Sequence, residues 1–259
     1  MITTGLYFMS TIAAGTFSKQ LSIDEQIDKI EQLFKIKILY KDSEQYIPLL
    51  WKIQSGNAES SQAATDNLQQ LINILPNEIE KYPLEILQDN LSNIIVLGEL
   101  KFFNISYGGT YLDKTIYITV GTDSTHKKSV MHLSSTFHHE FNSILMFRYE
   151  FSKLSWLAAN PDGFTYAKTE EEKLQALKES TNIEGSKKLY KYGFLTEYNK
   201  SSLENDFNMY AEFAFTRPAR LTNLAKKYPR IRRKVILLKE FYLNISKDFK
   251  PVMVLCCNI

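Results

Sequence analysis

The residues with the most chemical content form one short run, His138-His139-Glu140-Phe141-Asn142-Ser143. In an H-E-x-x-H helix, two histidines one turn apart bind a metal ion. The glutamate between them takes a proton from the metal-bound water. His139-Glu140 matches the first half of that pattern, and Ser143 stands where the second histidine belongs. A His-Glu pair alone also fits a solvated helix face. Catalytic zinc keeps three protein ligands and one open position, and a neutral serine is a poor ligand. His138 projects from another side of the helix, because neighbouring helical residues diverge. His132 is two turns earlier, and His126 beside Lys127 and Lys128 reads as an exposed loop residue.

A second polar cluster follows in Tyr198 to Phe207. Ser201 and Glu204 have capping-box spacing. Asp206 falls in the first turns of the helix they start, whose buried face is marked by Phe207, Tyr210, Ala211 and Ala214. Two readings of Asp206 stay open: a metal ligand, or an acid favoured by the helix dipole.

The elements that must position these groups read as follows. Ser134, Ser135 and Thr136 cap a helix running to about Phe151, with Phe137, Phe141, Ile144 and Leu145 on its apolar face and His139 and Ser143 opposite. Before it, Ser22 and Glu25 box the start of a helix over Ile23–Phe34, and Ile36–Tyr40 is strand-like. A second helix over Gln62–Leu75 is expected to stop at Pro76, and a third spans Glu78–Asn90 with a break near Pro83. Strand patterns appear at Ile94–Leu97, Lys101–Ile105 and Thr115–Val120, with a turn signal at Gly108-Gly109. After Ser134 the pattern is almost wholly helical. The order gives one α+β domain over 19–250, a small central sheet before a helical C-terminal half, then a tail over 251–259.

Composition narrows the partners. Thirty-one basic and 29 acidic residues leave a net charge of +2, too small to indicate nucleic acid. The late basic cluster, Arg217 to Lys234, reads as a solvated helical face. Adjacent Cys256 and Cys257 are poorly placed to close a disulfide and receive no role. Residues 1–18 carry no charge and resemble the apolar part of a secretory signal ending in Ala13-Ala14-Gly15, without its basic start; no stretch is long and apolar enough to span a membrane.

Phe137–Leu145, Gly193–Tyr198 and Glu204–Phe215 together resemble a zinc-binding metallopeptidase family of bacterial cell-envelope proteins, often lipoproteins found near polysaccharide-uptake systems. The likeness extends weakly to the first helix and strand and to Gly108-Gly109. It implies a gluzincin-like, zincin-type fold and a zinc-dependent hydrolase site at the envelope or cell surface. By that resemblance His139 is a metal ligand, Glu140 the general base, Asp206 the acidic ligand and Tyr198 the donor to the oxyanion. The second histidine has no counterpart, so zinc binding is incomplete and peptidase activity is weak or lost. The alternative is an inert binding module that holds an extended peptide, or a glycan-uptake partner, along an edge strand near Thr115–Val120.

Overall fold

The computed structural model describes residues 21–53, 57–169, 172, 175 and 185–257. The signal-like segment of residues 1–18 lies outside them. Helix α1 (Ile23–Phe34) opens on the expected capping box, with the Ser22 hydroxyl accepting from Glu25 N–H and the Glu25 carboxylate accepting from Ser22 N–H. Ile27, Ile30 and Phe34 form its buried stripe. Strand β1 (Lys37–Leu39) follows, then a short 3-10 turn (Ser43–Tyr46), α2 (Leu49–Ile53) and β2 (Glu59–Ser61).

Helix α3 (Thr65–Ile79) does not stop at Pro76 but runs through it. An interior proline forfeits a hydrogen bond and costs about 3 kcal/mol. Leu75 and Ile79 on either side are fully buried, and each such side chain returns about 1.5–3 kcal/mol. Core burial therefore outweighs the local penalty. Pro83 then leads α4 (Leu84–Asn90).

The strands that follow make two sheets. Strands β3 (Asn93–Leu97), β4 (Glu99–Phe102), β5 (Ile105–Ser106), β6 (Gly109–Leu112) and β7 (Thr115–Thr119) come in quick succession. The main sheet has the order β1-β3-β7-β6, with β6 antiparallel to β7 and the other neighbours parallel. A smaller antiparallel sheet joins β2, β4 and β5. This arrangement moves the expected edge. Thr115–Thr119 lies inside the sheet between β3 and β6, and the border strands are β1 and β6. Gly108-Gly109, read as a turn, instead leads into that strand. A Cβ on Gly109 would sit 2.5 Å from Thr136 Cγ2 and 2.8 Å from the Tyr117 carbonyl oxygen. Glycine is thus required by the close approach of β6 to the next helix.

That helix, α5 (Val130–Arg148), starts earlier than expected, capped by Ser129, and is buried from Leu133 to Leu145 on nearly all sides. Its apolar face, Phe137, Phe141, Ile144 and Leu145, joins the one large core. Beyond it come α6 (Lys153–Leu157), α7 (Lys187–Tyr192), α8 (Leu203–Thr216), α9 (Pro218–Lys227), α10 (Pro229–Ile245) and α11 (Lys250–Cys257). The architecture is α+β with a helical C-terminal half. Residues 251–257 of the expected tail lie in α11, where Met253 and Cys256 are fully buried in the core. The late basic cluster is also not wholly solvated, since Lys234 of α10 is entirely buried. No helix among the described residues is long and apolar enough to cross a membrane.

Candidate functional site

Helices α5 and α8 pack side by side, and each turns polar residues toward the other. From α5 these are Ser135, His139, Asn142 and Ser143; from α8 they are Asn205, Asn208 and Glu212. The α8 positions are spaced three and four residues apart, which places them on one helical face.

His139 is bonded at both ring nitrogens. Nδ1 meets Glu212 Oε1 at 2.8 Å, and Nε2 meets Asn205 Oδ1 at 3.3 Å. The orientation of the Asn205 amide follows from its other contact. Its Nδ2 donates to Ser201 Oγ, whose own hydrogen goes to the Tyr198 carbonyl. The amide therefore shows its oxygen to His139, and both imidazole nitrogens face acceptors. Burial alone would lower the His139 pKa. Its bond to Glu212, the charges of Glu140 and Glu212, and the bond to Asn205 raise it instead, to about 9. Both ring nitrogens are thus engaged by acceptors, and neither is turned toward an open position.

Ser143, one turn on, is also committed. Tyr242 donates to Asn142, Asn142 to Asn208, and Asn208 to Ser143 Oγ at 2.6 Å. This buried relay ties α10, α5 and α8 together.

Asp206, expected as the acidic ligand, faces a different way. Its Oδ2 accepts from Lys234 Nζ (2.6 Å), Tyr166 OH (2.6 Å) and Trp156 Nε1 (2.9 Å), and Oδ1 accepts from Asn199 (2.9 Å). Both partners of the Asp206–Lys234 pair are fully buried. One residue of helix turns a side chain by about 100°, so Asn205 reaches His139 while Asp206 points into the helical core. The expected capping box moves too. Ser202 is the N-cap, accepting from Asn205 N–H, rather than Ser201 with Glu204.

The structure does gather His139, Glu140 and Tyr198. The Tyr198 ring stacks on His139 with centroids 5.9 Å apart. Burial and the neighbouring Glu140 charge hold its phenol well above the usual range, so it stays a donor. Glu140 is 9% exposed, and its Cγ lies 3.2 Å from where a Gly109 Cβ would be. It thus lies beneath strand β6. It has no hydrogen-bond or ion-pair partner among the described residues. Burial raises its pKa; His139 opposes this, while Glu204 and Glu212 add to it, giving about 7. Tyr111 of β6 faces Glu204 and Glu140, and burial and those charges raise its phenol as well.

His138 belongs to a separate buried cluster. Its Nδ1 accepts from Tyr82 OH at 2.8 Å and its Nε2 donates to Glu78 Oε2 at 2.6 Å. Burial lowers its pKa, against the hydrogen bond and charge of Glu78. His132 abuts Gly108 and feels the Glu212 charge, and His126 is an exposed loop residue bonded to Asp123.

These donors do not fit a catalytic zinc. His139 has both nitrogens engaged, Ser143 is neutral and bonded, and Asp206 is held by Lys234. Among the described residues, no group of three or more His, Cys, Asp or Glu side chains suits a metal ion. Sequence reasoning missed Asn205, Asn208, Glu212 and Arg217, which fix this interface. Their signal was a polar stripe at 205, 208 and 212 along an otherwise apolar helix. The chain matches no protein-family model, no characterised protein and no solved structure.

Proposed function

We propose that this chain is a peptide-binding protein on a metallopeptidase-like plan, with the metal chemistry lost. An extended segment would add as a strand to the open edge of β6, above α5. The observation that carries this reading is the juxtaposition of that edge with Glu140. The hairpin supports it further. Thr119 N–H donates to the Gly108 carbonyl, and pairing continues through Thr110–Tyr117 to Leu112–Thr115. Antiparallel pairs alternate between bonded and non-bonded, so Gly109 and Tyr111 turn their backbone N–H and C=O groups outward. Main-chain bonds of that kind give strand addition its affinity.

The lost chemistry rests on the donor set. With both His139 nitrogens bonded and Ser143 committed to Asn208, Glu140 has no metal-bound water to deprotonate. Following the sequence resemblance, the setting would be the bacterial cell envelope, beside a polysaccharide-uptake system.

Selection of random decapeptides on the whole protein tests the reading. Enriched peptides should lose affinity when N-methylated at every second position and tolerate it at the positions between. Enrichment without that alternation would sink strand addition. A one-to-one zinc complex that cleaves peptides would replace the reading with the hydrolase.

A further inference from the structure

We infer that the face formed by α6, α7 and the first half of α10 seats this protein on an anionic lipid surface. Its Lys and Arg side chains meet the lipid phosphates, and Leu154, Leu157 and Ile236 enter the boundary between headgroups and acyl chains.

The net charge of the chain is only +2, but the balance is uneven. Helices α6, α7, α9 and α10 hold a single acidic residue, Glu240 near the end of α10, and every other charged side chain on them is basic. Contacts between the helices gather those cations. Arg230 donates to the Ala159 and Asn160 carbonyls that follow α6, and Arg233 donates to the Ala158 carbonyl. Gly193, which ends α7, packs so tightly on α10 that a Cβ there would sit 2.9 Å from Arg230 Cβ. Tyr190 of α7 meets Tyr228 with ring centroids 5.5 Å apart, and Lys227 lies over that same ring. Lys188, Lys191 and Arg232 are exposed, with no ion-pair partner among the described residues.

Apolar side chains stand among these charges. Leu154 is 81% exposed and Leu157 37%. Arg230 reaches Asn160, Arg233 reaches Ala158, and Phe241 packs on Phe151 with ring centroids 6.2 Å apart. The stretch from Phe151 to Asn160 therefore runs antiparallel to α10, which sets Leu157 and Leu154 beside the turns that follow Arg233. Ile236, 42% exposed, lies three residues after Arg233 and four after Arg232, so the three share the outer face of α10.

Bulky aliphatics set among cations, with no acid between them, suit a lipid interface. The cations are drawn to anionic headgroups, and the apolar side chains enter just beneath. The long stems of Lys and Arg add apolar contact while their charges stay at the surface. A face for nucleic acid would present aromatic rings for base stacking. Here the exposed apolar groups are two leucines and an isoleucine, with Tyr192 at the end of α7.

Sedimentation of the full chain with vesicles tests the inference. The protein should pellet with vesicles of equal phosphatidylglycerol and phosphatidylcholine, stay in solution with phosphatidylcholine alone, and bind less as salt rises. Lys188→Glu, Lys191→Glu and Arg232→Glu combined should weaken binding about a hundredfold or more, at about fivefold or more for each charge. Leu154→Ser, which leaves the charge unchanged, should weaken it about fivefold or more. Leu154→Trp should show a blue shift in emission with the anionic vesicles that the parent protein does not. Circular dichroism verifies that each variant is folded, as expected at exposed positions.

Equal binding to both vesicles would overturn the inference. Binding that survives the triple charge reversal would also overturn it, by placing the contact elsewhere, the uncharged residues 1–18 included. Binding that is lost on charge reversal but unmoved by Leu154→Ser, with no shift in Leu154→Trp, would remove the proposed seating. Failure to pellet with either vesicle would overturn it outright. Capture of a single-stranded oligonucleotide or of polyglutamate by the same three cations would then give the partner's class.

Discussion

Asn205 presents its side-chain oxygen to His139 Nε2 at 3.3 Å, at the point a metal would have to occupy. The amide is locked there by Ser201, and the far side of the ring is locked by Glu212. To bind zinc, His139 would have to shed a proton from a ring whose pKa is raised to about 9 and then break a contact on Nε2. Metal ligation requires neutral imidazole.

Purified protein grown with added zinc should therefore carry well under one equivalent, and His139→Ala should not change that value. Combining Ser143→His with Asn205→Glu supplies two ligands around the His139 ring and should give zinc binding measurable by calorimetry. Stoichiometric zinc in the parent, lost in His139→Ala, would mean that the donor set has been misjudged.

The Asp206–Lys234 pair should prove structural. Removing one partner of a fully buried ion pair strands the other charge and costs about 3–5 kcal/mol. Lys234→Met should lower the urea midpoint sharply, and Lys234→Met with Asp206→Asn should recover part of the loss. A Lys234→Met protein as stable as the parent would contradict this.

Glu78 makes the fold sensitive to acid. Burial would raise its pKa, but hydrogen bonds from His138 and Lys81, with their charges, bring it down to about 2. A depressed carboxylate contributes stability above its unfolded pKa of 4.5, and that contribution is lost as pH falls toward 2. Stability should drop by about 1–2 kcal/mol across this window, after allowance for partial solvent screening. In Glu78→Gln that share of the pH dependence should vanish. Chemical denaturation at pH 6, 4 and 3 measures both.

Gly109→Ala tests the contact between the edge strand and α5. The new methyl meets backbone oxygen and Thr136 Cγ2 at under 3 Å, so β6 must lift. A destabilisation of about 1–3 kcal/mol is expected, together with weaker capture of strand peptides. Pairing Gly109→Ala with Thr136→Ser should restore part of the stability, because the nearest clash is the Thr136 methyl.

Local chemistry was legible in the sequence wherever neighbours along the chain decide the outcome. The Ser22–Glu25 box fixed the start of α1, and the run from Thr115 gave a strand. His139 and Glu140 stood out by residue type and order and Tyr198 by the family resemblance, and the Tyr198 ring stacks on His139. Tertiary structure decided what local rules leave open. Pro76 stops an isolated helix, yet the burial of Leu75 and Ile79 carries α3 past it. Lys234 looked like one more surface cation until Asp206 drew it into the core. Strand order made β6, not Thr115–Thr119, an edge of the main sheet. The choice between Asn205 and Asp206 as the residue facing His139 depends on the rotation of α8 about its axis. That rotation is set by the packing of Phe207, Tyr210 and Phe213 against distant helices, which no local spacing encodes.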